Sequence, residues 1–375
     1  MEVYDAIVIG AGGVGSAALR ELARRGRRVL GIDRFNPPHD RGSSHGQSRI
    51  IRQAYFEHPD YVPLARRSYE LWAALEHDTG QRLFHRLGIL EAGPADGVVV
   101  PGVLRAASEH GLEVEQLTPT EVARRWPQFR IPPGFSAVHE TNAGYLPVEA
   151  CVAAHLAVAQ RDGAEILMNT VVERWTPSAK TVTVGTDRGE FHTRRLIIAA
   201  GPWAGQLLAG LGVPLTVKRK SLFWFAADAA HHSPALPPFL FELPEGVIYG
   251  FPAIDSRGLK VAEHSGGRVV VDPLSLDREI DSGEESTLRG FLAAHLPGMS
   301  QQRTDHAVCM YTMSPDEHFI VDRHPGDERI VFAAGLSGHG YKFAPVLGEA
   351  LVDLALDGAT QLPVEFLRLK RLRTA

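Results

Sequence analysis

Hydrophobic positions along the chain mark the elements first. Tyr4 to Ile9 is an almost unbroken apolar, β-branched run, the pattern of a strand buried on both faces of a parallel sheet. Gly10 to Gly15 makes a turn. Ser16 to Arg25 then has helical spacing, with Ala17, Ala18, Leu19 and Leu22 apolar and Gly26 as its stop. Arg28 to Ile32 is a second strand, closed by Asp33, so the chain opens on one βαβ unit. Residues 89–135 are dense in proline and glycine and predict turns and short elements, an excursion from the first domain. Val148 to Arg161 is helical in pattern, and Ile166 to Val172 and Leu196 to Ala200 are strands, the second broken by Gly201-Pro202. Residues 217–271 alternate. Leu259, Val261 and Glu263 fall on one strand face, and Lys260, Ala262 and His264 on the other, so Lys260 and His264 can both point into one cavity. Asp277 to Ala294 predicts a helix, Ala307 to Thr312 and Arg329 to Ala334 strands, Gly335 to Gly340 a loop, and Ala344 to Leu356 a last helix.

The nucleotide-type pieces lie at the start, middle and end, with the alternating strands between them. The pattern therefore predicts an α/β fold in which a Rossmann-like domain is interleaved with a second domain built on a mixed or antiparallel sheet. Residues 1–85, 145–216 and 322–375 go to the first domain, and 86–144 and 217–321 to the second. The length of 375 residues suits two such domains. A net charge of −5 without a long basic run argues against nucleic acid and anionic membrane surfaces as partners. The opening Met1 to Asp5 has no basic start, the apolar stretch up to Gly15 is too short to span a bilayer, and Leu372 to Ala375 is not an address signal. A cytoplasmic monomer is expected. Cys151 and Cys309 are the two cysteines, and in that compartment they are expected as free thiols rather than a disulfide. The histidines show no metal-ligand spacing.

Gly10-x-Gly12-x-x-Gly15 follows a strand and opens a helix, and Asp33 ends the next strand. Gly10 permits the tight turn, Gly12 lets the backbone approach a pyrophosphate, and Gly15 lets helix and strand pack closely. The helix N-terminus offers unpaired N–H groups to phosphate, and Asp33 can accept from ribose hydroxyls. The motif alone does not separate NAD from FAD. Its position at the start of the chain, together with the strand Leu196 to Ala200 and Gly201 downstream, favours a flavoprotein arrangement.

At this point the chain resembles the monomeric sarcosine oxidase and N-methyltryptophan oxidase family, with pipecolate oxidase close by, within the D-amino acid oxidase-like FAD proteins. The segments that carry the likeness are Gly10 to Gly15, Ser43 to Tyr55, Gly258 to His264, Cys309 to Asp322 and Ser337 to Phe343. The resemblance implies an FAD oxidase of secondary amino acids, with a small amino acid and O2 as substrates, an imine product that hydrolyses, and hydrogen peroxide. A cyclic imino-acid oxidase and a flavin dehydrogenase with another acceptor stay open as alternatives. Ser43-Ser44-His45 lies closer to the pipecolate-type pattern than to the paired histidines of some sarcosine oxidases.

Residue by residue, the resemblance implies that Cys309 attaches FAD covalently through a thioether. It also makes Lys260 the oxygen-activating lysine and places His264 near the substrate amine. On the residues alone, Cys309 could equally be a core thiol, and Lys260 and His264 a solvated strand face. Tyr311, two residues beyond Cys309, either bounds the substrate or packs as a core aromatic. Arginine forks suit carboxylates. The likeness gives Arg52 and Lys342 to the substrate carboxylate, and Arg49 and His45 to the flavin. Lys342 also belongs to the expected cofactor wall, with Ser43, Val172, Gly201, Gly338 and Gly340, whose glycines allow a close backbone approach.

Overall fold

The computed structural model describes residues 2–372, so the reading made on residues 373–375 lies outside the described residues. Val3–Ile9 is central in an eight-stranded sheet. It pairs in parallel with Val29–Ile32 on one side and with Gly189–Ile198 on the other. Asp327–Ala334 adds a further parallel strand beside Gly189–Ile198. Alternation along Val3–Ile9 explains its two faces. Ala6 and Val8 pack under helices Gly13–Arg24, Val148–Arg161 and Ala344–Leu356, while Ile7 and Ile9 join Leu30, Ile32, Leu196 and Ile198 in a second cluster on the opposite face. The first and last of these helices approach closely: a side chain at Gly348 would begin 2.8 Å from the backbone nitrogen of Ala18.

The other large sheet is also eight-stranded and mixed. Its middle runs through Thr216–Phe225, Leu259–Glu263, Gly246–Phe251 and Phe239–Leu243 in antiparallel order, and Phe239–Leu243 then pairs in parallel with Ile89–Pro94. Phe223, Phe225, Phe239 and Phe241 fill one face against helix Ser282–His295. The opposite face carries Leu222, Trp224, Tyr249, Ala262 and Cys309. A three-stranded sheet, Ser48–Ile51, Gly144–Pro147 and His85–Arg86, holds the segment that includes Arg49.

Several elements differ from the sequence reading for local reasons. The first helix begins at Gly13, three residues before Ser16, because the last glycines of the turn already form its first turn. Residues 89–135 hold real structure, including strand Ile89–Pro94 and the 12-residue helix Val99–His110. Pro101 does not break that helix, since it lies in the first turn, where no N–H partner is lost. The 19-residue helix Tyr61–Thr79, with Pro63 in its first turn, lies where no element was expected. Ile166 to Val172 is two strands, Glu165–Leu167 and Val172–Pro177, separated at Asn169 in the left-handed region. The helix expected from Asp277 starts at Ser282, where Asp281 accepts from the N–H groups of Gly283 and Glu284.

Candidate functional site

A cavity of about 220 Å³ opens at the ends of the parallel strands. Gly10, Gly12 and Gly13 form its floor at the start of the first helix, whose positive end therefore faces it. Gly10 has φ +89°, and a Cβ there would lie 2.5 Å from the carbonyl oxygen of Ala199. Gly15 does not line the cavity. A Cβ on it would lie 1.7 Å from the Gly10 carbonyl oxygen, so its part is to let the helix close on the turn. Asp33 lines the cavity and also ties the loop around it. Oδ2 accepts from Ala11 N at 2.7 Å and Oδ1 from Phe35 N at 2.8 Å, and Nε2 of His39 lies 3.3 Å from Oδ1. Ser43, Val172, Gly201, Gly338 and Gly340 are on the wall as well. Bare glycine backbone, a helix N-terminus and a carboxylate at the second strand are what a dinucleotide needs, so these residues fit FAD.

Cys309 lies just behind this wall, fully buried. Nη2 of Arg49 donates to its Sγ at 3.3 Å, and the carbonyl of Ser43 is 3.6 Å from the sulfur. Burial alone would raise the thiol's pKa, but the Arg49 guanidinium and, after it, neighbouring His45 bring it down to about 6. Cys151 shows the contrast: buried without such a cation, its thiol is pushed well up. His45 is buried, lines neither cavity, and among the described residues has no hydrogen-bond partner at Nε2.

A smaller cavity of about 60 Å³ adjoins the first, and the two share Arg49, Tyr311, Gly338 and Tyr341 in their walls. Gly338 is required there: its φ is +81°, and a Cβ would lie 2.2 Å from the Tyr311 ring. Arg52, Lys342, His264 and Tyr249 line the smaller cavity. The Tyr311 hydroxyl is 3.4 Å from Nδ1 of His264. Burial brings His264 down to about 3 and His339 to about 4, so both imidazoles are neutral near pH 7. Lys342 Nζ donates to His339 O at 2.9 Å and to the Tyr55 hydroxyl at 3.2 Å. Burial, reinforced by Arg52 and opposed by Glu57, lowers Lys342 to about 7.

Lys342 lines only the smaller cavity and not the cofactor wall expected for it. Two further placements depart from the sequence reading. Lys260 and His264 do not share a cavity. The strand ends at Glu263, and His264 reaches the smaller cavity from the residue beyond it, its N–H bonded to Val247 O. Lys260 lines neither cavity, because its ammonium turns under the loop before Arg49 and donates to Gly46 O at 2.6 Å and Ser48 O at 2.9 Å. Burial and then Arg49 lower its pKa strongly. Arg52, in turn, is not an open fork. Nη1 donates to Ala54 O, and Nη2 donates to both oxygens of Glu57 at 2.9 and 2.7 Å. Despite burial, Arg52 holds the Glu57 carboxyl at about 2. Glu57, Tyr249, His339 and Tyr55 are site residues that the sequence reading missed. An acid five residues after Arg52 was the available signal for Glu57.

Known proteins align with this geometry along nearly the whole chain. The profile of the family described as FAD dependent oxidoreductase matches residues 5–354. Monomeric sarcosine oxidase of Bacillus sp. (strain B-0618) is 40% identical over 98% of this chain and 96% of its own length. N-methyl-L-tryptophan oxidase of Yersinia pestis (strain Pestoides F) is 38% identical over 99% of this chain and 100% of its own length. Among solved structures, NikD, an unusual amino acid oxidase essential for nikkomycin biosynthesis, superposes with a TM-score of 0.87 at 25% identity, covering 98% of both chains.

Proposed function

Because the chain belongs to the FAD-dependent oxidoreductase family, we propose that it is an oxidase of small secondary amino acids, sarcosine or another N-methyl amino acid. The observation that carries this reading is the smaller cavity, which shares a wall with the dinucleotide cavity and presents Lys342 and Arg52 beside the neutral His264. When bound, FAD supplies the two-electron chemistry that couples oxidation of the amine carbon to reduction of O2. The protein residues bind and orient. Lys342, with the Nη1 donor of Arg52 that Ala54 leaves free, holds the substrate carboxylate. His264 accepts a hydrogen bond from the amine. Burial around it disfavours the ammonium form, leaving the uncharged amine that oxidation requires.

Gly10, Gly12, Asp33, Ser43, Val172, Gly201, Gly338 and Gly340 hold the cofactor in this reading. Cys309, as thiolate against Arg49, tethers it covalently, and Lys260 assists the oxygen step from beneath the Gly46 to Ser48 loop. The FAD-binding part comprises 1–85, 145–216 and 322–375, and the substrate part 86–144 and 217–321. We read the enzyme as a cytoplasmic monomer; among the described residues no helix is long and apolar enough to cross a membrane. One N-methyl amino acid, one O2 and one water would give the primary amino acid, formaldehyde and hydrogen peroxide. The test is a peroxide assay under air over N-methyl amino acids, cyclic imino acids such as pipecolate and proline, and the matching amines without a carboxylate. Turnover with N-methyl acids supports the reading. Faster turnover of the cyclic acids replaces the substrate. Dye reduction without peroxide makes the protein a dehydrogenase.

A further inference from the structure

Behind Arg52, out of the cavity, lies a carboxyl group that the reading above does not use. Glu91 is on strand Ile89–Pro94, where it pairs with Leu240 on one side and Val138 on the other. Leu240 lines the smaller cavity, so Glu91 stands one strand away from it. The side chain is fully buried, and among the described residues neither carboxyl oxygen has a hydrogen-bond partner. Its one close charged contact among the described residues is Nε of Arg52, at 3.4 Å. An acid in such a place is unusual, because a buried charge without hydrogen bonds is costly.

Every charged group facing Glu91 bears on its state. From the loop after Ser48–Ile51 come Arg52 and Glu57, from strand Phe135–Glu140 comes Glu140, and from Tyr341–Phe343 comes Lys342. Glu57 already takes the Nη2 face of Arg52, and Glu140 accepts from Gln53 N at 2.8 Å and Ala54 N at 2.9 Å. Glu91 is thus the third carboxyl around one guanidinium, and the one with the poorest contacts. We propose that Glu91 is a positioning residue that sets how much of the Arg52 charge a bound carboxylate can use. With its proton on, Glu91 leaves Arg52 to Glu57 and the ligand. Ionised, it is a second anion on the same guanidinium and opposes any anion in the cavity. Burial outweighs the attraction of Arg52 and raises this carboxyl to about 8, so the change falls within reach of ordinary assays. The proposal rests on the reading that a substrate carboxylate docks on Arg52 and Lys342.

The experiment measures acetate binding to the FAD-loaded enzyme by calorimetry between pH 6.5 and 9.5, in wild type, Glu91→Gln and Glu91→Val. Glutamine copies the protonated acid. Valine removes the polar group and keeps the assay open where the amide folds poorly. Lys342 also titrates in this range in all three proteins, but ionised Glu91 can only raise its proton affinity, so a steeper loss of binding in wild type than in either variant comes from Glu91. If the ligand requires protonated Glu91, the wild-type Kd rises about tenfold per pH unit above about 8, or about thirtyfold more than in either variant by pH 9.5. Acetate that binds at pH 7 with the same pH profile in all three proteins overturns the role of Glu91 and leaves the carboxylate reading intact. Acetate that binds none of them at any pH overturns the carboxylate reading and the role of Glu91 with it.

Discussion

Replacing Lys342 with methionine tests the carboxylate anchor directly. Lys342 Nζ carries three donors, of which one goes to His339 O and one to the Tyr55 hydroxyl, so one is left for the cavity it lines. Methionine removes the charge and nearly keeps the length. A substrate carboxylate would then lose one hydrogen bond to a charged group, about 1.5–3 kcal/mol, which is about a tenfold to 150-fold loss in kcat/KM. The structure also sets the pH dependence. Lys342 is held at about 7, so above that pH the free wild-type enzyme has already lost this charge. The ratio of wild-type to variant activity should therefore be largest near and below pH 7 and shrink toward alkaline pH. Peroxide production is to be measured with an N-methyl amino acid and with the same amine lacking its carboxylate, after flavin absorbance has shown that the variant keeps FAD. The acid-to-amine activity ratio should fall about tenfold or more. If acid and amine lose activity equally, Lys342 supports the local structure rather than the carboxylate, and the anchor is wrong.

Four further outcomes are expected. Cys309→Ser should release FAD on acid precipitation, while wild type and Cys151→Ser stay yellow with a mass increased by one FAD; release from wild type would refute the tether. Lys260→Met should slow the oxygen-consuming half of the cycle, followed by stopped flow, at least about tenfold more than the anaerobic substrate half, and equal slowing would remove Lys260 from the oxygen step. Gly15→Ala places a carbon 1.7 Å from the Gly10 carbonyl oxygen and should cost about 1–3 kcal/mol in urea unfolding together with weaker FAD retention. Native Glu91 keeps its proton up to about 8 while an unfolded glutamate loses it near 4.5, so unfolding releases a proton in that window and stability falls as pH rises through it. The full difference corresponds to about 5 kcal/mol, and Glu91→Gln should gain stability relative to wild type from pH 5 to 8, with a constant difference refuting the shift.

The parts legible in the sequence were those whose chemistry is local. Gly10, Gly12 and Gly15 sit between a β-branched run and a helical stretch; Gly10 and Gly15 meet backbone in the fold where a side chain would collide, while an added Cβ on Gly12 would face only the Ser44 side chain, at 3.3 Å. Cys309 needed the family likeness to stand out, because its activating cation, Arg49, lies 260 residues away in the chain. Glu91 was illegible for a related reason. In an alternating strand an acid normally faces water, and only the packing of Ile89–Pro94 between two strands shows that it faces Arg52. Lys260 was placed on the correct face but given the wrong reach, since the loop at Gly46 to Ser48 captures its ammonium. Prolines 63 and 101 hid two helices because a proline in a first turn looks the same in sequence as one that breaks a helix.

The same distinction separates formal charge from usable charge in the smaller cavity. Counted in the sequence, Arg52 and Lys342 offer two cations to a carboxylate. In the fold, Glu57 takes most of the first, and burial leaves the second near half-protonated at neutral pH. An empty pocket with two free cations would be costly to bury and would hold any small anion. This one is close to neutral until a ligand arrives. In the proposed reading a carboxylate would then raise the proton affinity of Lys342 and compete with Glu57 for Arg52, so that its binding would create much of the positive charge that holds it. Selectivity would follow from that coupling, because only a ligand whose carboxylate reached both groups while its amine met the neutral His264 would recover the cost of charging the site.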